Sequence, residues 1–316
     1  MALIILILYQ IMQSLLMVVI APIFVGWVRQ NRAWLNNKSG AGVLQPYREL
    51  RKLFIKRPLL AENASWLFRA MPYFYFSIFI LVTAIIPLLS TQLLFAPVAD
   101  AIALVGLFAF ARIGLALAAM DIGTAFGSLG ARREMFVAFL TEPALLLIFF
   151  NVALMSQSTS LAVVAQTVLT QPMPVHASLV FSGVAFVMVL LAENARIPID
   201  NPTTHLELTM IHEAMILEYS GRHLALIEWG SSLKLLTYFV LGIVLFFPWG
   251  ITTHISILSL FLAFWFLLIK LLLLGSGLAL FEILSAKLRL FRAPEFLTVA
   301  FLLAIVGVFT QTLMWK

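Results

Sequence analysis

Residues 196–221 read "RIPIDNPTTHLELTMIHEAMILEYSG". The stretch holds five charged side chains and two histidines, yet residues 177–194 before it and 229–249 after it are apolar runs. Crossing a hydrocarbon core takes roughly 20 predominantly apolar residues, so both flanks qualify as spans. A polar connector between two spans is the signature of a chain that passes repeatedly through a bilayer. Within the connector, Pro198 and Pro202 end the preceding helix and predict an extended turn, because the residue before proline avoids the α region. Thr204 followed by Glu207 is a capping box, which predicts a helix from about His205. Leu206, Met210, Ala214 and Leu217 form an apolar stripe at helical spacing, extended by Ile211 and Met215. This helix is too short to span and is expected to lie at the membrane boundary, with Glu207 and Glu218 pointing the same way.

The composition of the whole chain carries the same message. Of its 316 residues 63% are hydrophobic and 11% charged, with a mean hydropathy of +1.06. A soluble domain carries about a quarter charged residues. The expected fold is all-α: a polytopic membrane protein, one integral membrane domain over residues 1–316, with short amphipathic helices in its loops. The stretch from Leu3 to Val28 lacks a basic leader and a small-residue cleavage site, so it is expected to span rather than be removed. Cysteine is absent, which excludes disulfides, thiolate zinc sites and iron–sulfur ligation by this chain.

Apolar windows fall at about 3–28, 72–96, 98–119, 135–155, 177–194, 229–249, 254–284 and 296–314, which predicts about eight spans. The long odd connectors, about 29–69, 120–134, 195–228 and 285–293, hold 16 of the 20 Lys and Arg residues. The even connectors hold none. Basic residues accumulate in cytoplasmic loops, so the odd loops are expected inside and both termini outside a cytoplasmic (inner) membrane. The same distribution accounts for the +6 net charge without nucleic acid as a partner. Segment 156–176 is an uncharged outer stretch.

Ionisable residues in or at the mouths of spans are Arg112, Glu134, Glu142, Glu193, Glu228, Lys234, Lys270 and Glu282. Each costs about 2.5–3.5 kcal/mol at a helix centre, so function or tight pairing is the default reading. Lys270 and Glu282 can snorkel to an interface as purely structural residues, and the basic loop near residue 287 is expected to hold Glu282 ionised. Glu228 and Lys234 lie on opposite helix faces and are not expected to pair. Glu142, Glu193, Glu207, Glu218 and Glu228 are more carboxylates than helix locking requires; together they are a candidate proton path, since buried carboxylates exchange protons near neutral pH.

Several motifs fail on inspection. "HEAMI" (212–216) has Ile216 where a zincin needs its second histidine. "HLE" (205–207) lacks the cysteines of a deaminase. "GTAFGSLGARRE" (123–134) has neither the lysine nor the preceding strand of a phosphate loop. His205 and His212 could grip a metal with Glu207, but the favoured reading places them beside the charged loop, with no metal. "GAGVLQPYRELRKLFIKR" (40–57) reads either as an interfacial helix drawn to anionic lipid or as a docking platform for peripheral subunits.

Four ordered stretches carry a family resemblance: "GAGVLQPYRELRKLF" (40–54), "SWLFRAMPY" (65–73), "GLALAAMDIGTAFGSLGARREMFVAFLTEPALLL" (114–147) and "LAENARIPID" (191–200). Together they resemble the membrane subunit related to subunit 1, the H-type subunit, of respiratory complex I. Within that family they resemble the branch of energy-converting group 4 [NiFe] hydrogenases, the hydrogenase-4 and formate hydrogenlyase type. Departures are Ala41 for the usual proline, Ile199 for phenylalanine, and Thr203 and His205 for acids of a run that ends in Glu207-Leu208. Glu218-Tyr219 is kept, three residues further on than usual.

The resemblance implies a non-redox membrane subunit that anchors an electron-transfer arm and couples its reaction to proton or sodium translocation. It also implies iron–sulfur clusters and a [NiFe] centre in partner subunits, none in this chain. Expected partners are peripheral hydrogenase and iron–sulfur subunits on the cytoplasmic side, antiporter-like membrane subunits and lipid. Gln45, Arg48, Glu49, Arg51, Lys52 and Arg69 are the candidate docking residues; Arg196, Asp200, Tyr219, His205 and His212 the candidate coupling connector. A complex I-type quinone-site subunit, with quinone as a further ligand, is the alternative. A stand-alone ion transporter is the third reading, weakened by the lack of internal repeats.

Overall fold

The computed structural model describes residues 2–95, 100–170, 177–200, 210–253, 256–286, 288 and 292–314. Among them there is no strand, only two isolated bridges, Ser90 with Thr252 and Asp100 with Ser160. Seven helices are long and apolar enough to cross a membrane: α1 (Ala2–Leu35), α3 (Trp66–Ile85), α4 (Ala101–Asp121), α5 (Ala125–Ser156), α9 (Gly221–Phe246), α10 (Ile257–Leu284) and α11 (Ala293–Met314). The span expected at 177–194 is α7 (Ala177–Glu193), 17 residues of apolar helix packed between α5 and α11. At about 1.5 Å per residue it sits at the short limit of what can cross. Among the described residues there are also three shorter helices: α2 (Gln45–Ile55), α6 (Leu161–Thr170) and α8 (His212–Ile216).

The helix ends differ from the apolar windows because caps, not hydrophobicity, set them. The Ser65 side chain accepts from the Leu67 N–H, so α3 begins at Trp66, six residues before the window. Thr124 accepts from the Gly127 N–H and starts α5. Residues 125–134, read as part of a loop, are therefore the first turns of α5, carrying Arg132, Arg133 and Glu134 with them. At the other end of α3 the chain leaves the helix at Ile86, and Leu88, Leu89 and Leu93 are buried in irregular backbone. The carbonyl of Leu89 there accepts from the Thr252 N–H at 2.9 Å.

The helix α9 is the centre of the bundle. Within its apolar window 67% is buried, against 17% for α10, which packs mainly on α1 at the periphery. Around α9 stand α3, α1, α2 and α7, with α4 joining α3 to α5 and α11 closing the α5–α7 side. The helix α8 lies across α5, where Gly130 makes room: a Cβ there would stand 2.8 Å from the Ala214 Cβ and 2.9 Å from the Ile211 carbonyl oxygen.

Candidate functional site

Four helices converge on the Arg112 guanidinium. Arg112 comes from α4, Glu134, Thr141 and Glu142 from α5, Glu193 from the last turn of α7 and Lys234 from α9. Glu134 and Thr141 are seven residues apart, two turns on one face of α5, with the small Ala138 between them. Arg112 pairs with the Glu193 carboxylate through Nη2. Its Nε stands 3.3 Å from Glu134 and its Nη1 3.8 Å from Glu142. Nη1 also donates to the Thr141 hydroxyl at 3.0 Å, and that hydroxyl donates onward to Glu193 Oε1 at 2.7 Å. Lys234 Nζ meets Glu193 Oε2 at 3.2 Å. Arg112 and Glu193 are each 5% exposed. Removing one partner of such a buried pair costs about 3–5 kcal/mol, so the set holds its helices in place. Two basic side chains face three carboxylates there, a formal excess of one negative charge.

A cavity of about 460 Å³ runs from this centre to the face that carries the basic connectors. Glu134, Glu193 and Lys234 line its inner end; Arg29, Arg32 and Glu49 line its mouth, where Arg29 and Glu49 form an exposed pair at 2.9 Å. On one wall the buried Glu282 of α10 receives Arg196 at 3.1 Å and Arg32 of α1 at 3.5 Å. Burial lowers the Arg196 pKa, and Glu282 opposes that shift. Arg196 reaches Glu282 because α7 ends in a Schellman turn: the Arg196 N–H donates to the Leu191 carbonyl and the Ala195 N–H to that of Ala192, with Ala195 at φ +48°. Such a turn satisfies the last carbonyls while throwing the chain sideways.

The Pro198 turn that follows is tighter than the extended one expected. The Arg196 carbonyl accepts from both Ile199 and Asp200 N–H groups, at 2.9 and 3.2 Å. The Asp200 carboxylate then accepts from the Ile211 and His212 N–H groups at 3.3 and 3.4 Å, and Arg133 donates to the Met210 carbonyl at 2.9 Å. These contacts pin the start of α8.

Of the carboxylates singled out in the sequence, Glu193 and Glu142 reach Arg112, and Glu228 lines the cavity. Glu218 is exposed and absent from the cavity wall. Glu207, His205 and the Thr204 capping box lie outside the described residues. His212 lines the cavity, with Nε2 3.5 Å from the Ser231 hydroxyl. Tyr219 is buried, stacks on Phe68 at 3.9 Å and donates to the Phe68 carbonyl; burial raises its phenol pKa. Arg48, Arg51, Lys52 and Arg69 are exposed, while Gln45 and Glu49 are half-buried and bonded to each other. Lys270 donates to the carbonyls of Phe247 and Trp249 just beyond the end of α9, a favourable place for a cation at a helix C-terminus. Glu282 is held by Arg196 and Arg32 rather than by the described part of the loop near residue 287. Thr141, Arg29 and Arg32 escaped the sequence reading. For Thr141 a signal existed, its seven-residue spacing from Glu134.

Fold and site define a class of protein: a polytopic helical membrane subunit with a buried charge centre opening to a polar cavity on one face. The chain belongs to the NADH dehydrogenase family, whose model matches residues 5–312. It is 32% identical over 289 residues to formate hydrogenlyase subunit 4 of Escherichia coli (strain K12), covering 92% of this chain and 93% of that one. Hydrogenase-4 component C of the same organism is 31% identical over 272 residues, with 85% and 84% covered. The H-type subunit of the NADH-quinone oxidoreductase of Rickettsia bellii (strain OSU 85-389) is more distant, 26% identical over 191 residues, with 60% and 56% covered. A chain of the membrane-bound sulfane sulfur reductase, an archaeal respiratory membrane complex, shares the fold with a TM-score of 0.83 at 18% identity, over 96% of this chain and 99% of that one.

Proposed function

We propose that this chain is the integral membrane subunit of an energy-converting hydrogenase of the formate hydrogenlyase and hydrogenase-4 type. In this reading it anchors a peripheral electron-transfer arm and couples the arm's redox reaction to proton movement through its own charge centre. The observation that carries it is the continuity of the cavity with the Arg112–Glu193–Lys234 centre, in a chain that matches the formate hydrogenlyase subunit over nearly its full length. Water in the cavity brings protons to the inner carboxylates, and the excess negative charge of the centre lets it load and discharge. Arg196, Arg32 and Glu282 hold the cavity wall rigid while this happens.

The proposal extends to orientation and partners. The basic face is cytoplasmic, both termini lie outside an inner membrane, and peripheral hydrogenase and iron–sulfur subunits dock on α2 and the connectors. Iron–sulfur clusters and the [NiFe] centre reside in those subunits, and antiporter-like subunits flank the bundle in the membrane. The quinone-site alternative is less favoured: the quinone-type relative matches at lower identity over part of the chain, and seven carboxylate side chains line the cavity, a wall suited to water more than to an apolar ligand.

The test is purification of an affinity-tagged chain from its native membranes. Hydrogenase and iron–sulfur subunits are expected to come with it, and vesicles containing the complex to take up protons as hydrogen is evolved. The separated chain is expected to carry no iron and no visible absorption. Recovery with quinone-reducing NADH dehydrogenase activity would move the assignment to the alternative. A tagged chain recovered alone, active in ion exchange, would move it to the transporter reading.

A further inference from the structure

Glu193 lines the cavity, but both its carboxylate oxygens are already engaged: one is held by Arg112 and Lys234, the other by Thr141. The opposite edge of the Arg112 guanidinium, with Glu134, borders a second pocket of only about 10 Å³, enclosed on its apolar side by Phe79, Phe108 and Leu115. That space is about what one water molecule occupies. His212, Tyr75, Glu134 and Lys234 belong to the walls of both the large cavity and this small pocket. From its Nε2 the Ser231 hydroxyl is 3.5 Å away, and from that hydroxyl the Tyr75 phenol, also on the pocket wall, is another 3.5 Å. Both steps are at the outer limit of hydrogen bonding, so a small side-chain rotation makes or breaks the connection.

We propose that His212, with the Ser231 and Tyr75 hydroxyls, is a gated proton relay between the cavity and a single water beside Arg112 and Glu134. This rests on the proton-path reading above and adds to it a named residue and a second route into the centre. The step is balanced. One ring nitrogen takes a proton from cavity water while the other passes its proton to the Ser231–Tyr75 pair, which delivers one to the pocket water and so to Glu134. Only N–H and O–H bonds change. Imidazole suits the task because its two nitrogens exchange donor and acceptor roles near neutral pH. The backbone is held by Asp200 while the ring is left half-buried, which fixes the relay's position without locking its side chain.

The ionisable groups nearest His212 in these two spaces are Tyr75 from α3, Arg112 from α4, Glu134 from α5, Glu193 from α7, and Glu228 and Lys234 from α9, with Arg29, Arg32, Glu49, Arg196 and Glu282 further along the cavity. Asp200 and Glu213 flank it on the connector side. Carboxylates outnumber cations in that set, so the surrounding charge favours the passage of a proton.

The experiment measures protons translocated per electron in vesicles holding the assembled complex, with assembly checked on native gels. His212→Ala is expected to lower that ratio by about tenfold or more, the low end of what a positioned proton-transfer group contributes being larger still. Free imidazole added to the assay is expected to restore most of it, because the cavity admits the missing ring. A merely structural histidine would not be rescued in this way. If His212→Ala does not assemble, His212→Gln replaces it and is expected to show the same loss. Normal translocation in either variant, or a loss that imidazole leaves unchanged in the alanine variant, overturns the relay. Wild-type complex and Glu193→Gln are measured alongside. No translocation by the wild type overturns the proton-path reading and the relay together. Loss in Glu193→Gln with normal His212→Ala overturns the relay alone.

Discussion

Thr141 shows how much one hydroxyl can organise. It accepts from Arg112 and donates to Glu193, so it spends both its donor and an acceptor on opposite charges that would otherwise face each other with less order. Thr141→Val keeps the shape and removes both bonds, leaving buried polar atoms short of a partner at a cost of about 1–3 kcal/mol. The variant is expected to lower the thermal stability of the purified complex and to reduce proton uptake per electron, with Thr141→Ser restoring both. A valine variant that pumps normally would show that the Arg112–Glu193 pair organises itself. Arg112→Lys is a harsher change, because a single ammonium cannot replace a planar fork that meets Glu193, Glu134 and Thr141 at once.

At the scale of elements, α8 and α2 are short helices in the connectors between spans. The five-residue α8 is too short to stand alone and is held from outside, by the Asp200 carboxylate at its start, by Arg133 on Met210, and by close packing on Gly130. Gly130→Val forces side chains into the Ala214 methyl and the Ile211 carbonyl. Such overpacking typically costs about 1–3 kcal/mol. It is expected to displace α8, detected as faster proteolysis or hydrogen exchange near residue 212, while the spans remain inserted. Unchanged exchange there would mean that α8 is not seated by α5. The helix α2 behaves differently: it buries Pro46 and Leu50 against the bundle and turns Arg48, Arg51 and Lys52 outward. Reversing those three to Glu is expected to release peripheral subunits from membranes while this chain stays inserted. An arm that remains bound and active would reduce α2 to a lipid contact. The helix α10, with Ile257, Leu258, Leu273 and Leu284 all at least 68% exposed, offers an apolar outer wall to lipid or a neighbouring membrane subunit.

For the molecule as a whole the topology turns on α7, whose 17 residues are at the short limit for crossing. The chain has no native cysteine, so single cysteines at Ser39, Thr159 and Leu217 report sidedness cleanly, and all three positions are exposed. Ser39 and Leu217 are expected to label from one face and Thr159 from the other. Leu217 labelling together with Thr159 would mean that α7 does not cross and that the termini lie on opposite sides. Much of this architecture is legible in the residues alone. Apolar runs must be helical where no water can satisfy the backbone, so the number and order of the long helices follow from composition. Their ends do not, because Ser65 and Thr124 start helices well before hydrophobicity rises. The site is legible only in part for a similar reason. A lone Arg112, Glu193 or Lys234 in an apolar helix announces that it must have a partner, since burying an unpaired charge is prohibitive. Which partner it finds depends on the rotation and depth of α4, α5, α7 and α9 against one another. Sequence spacing holds no record of that geometry between helices, and packing around α9 alone brought the four together, opened the cavity beside them and left Glu218 facing outward.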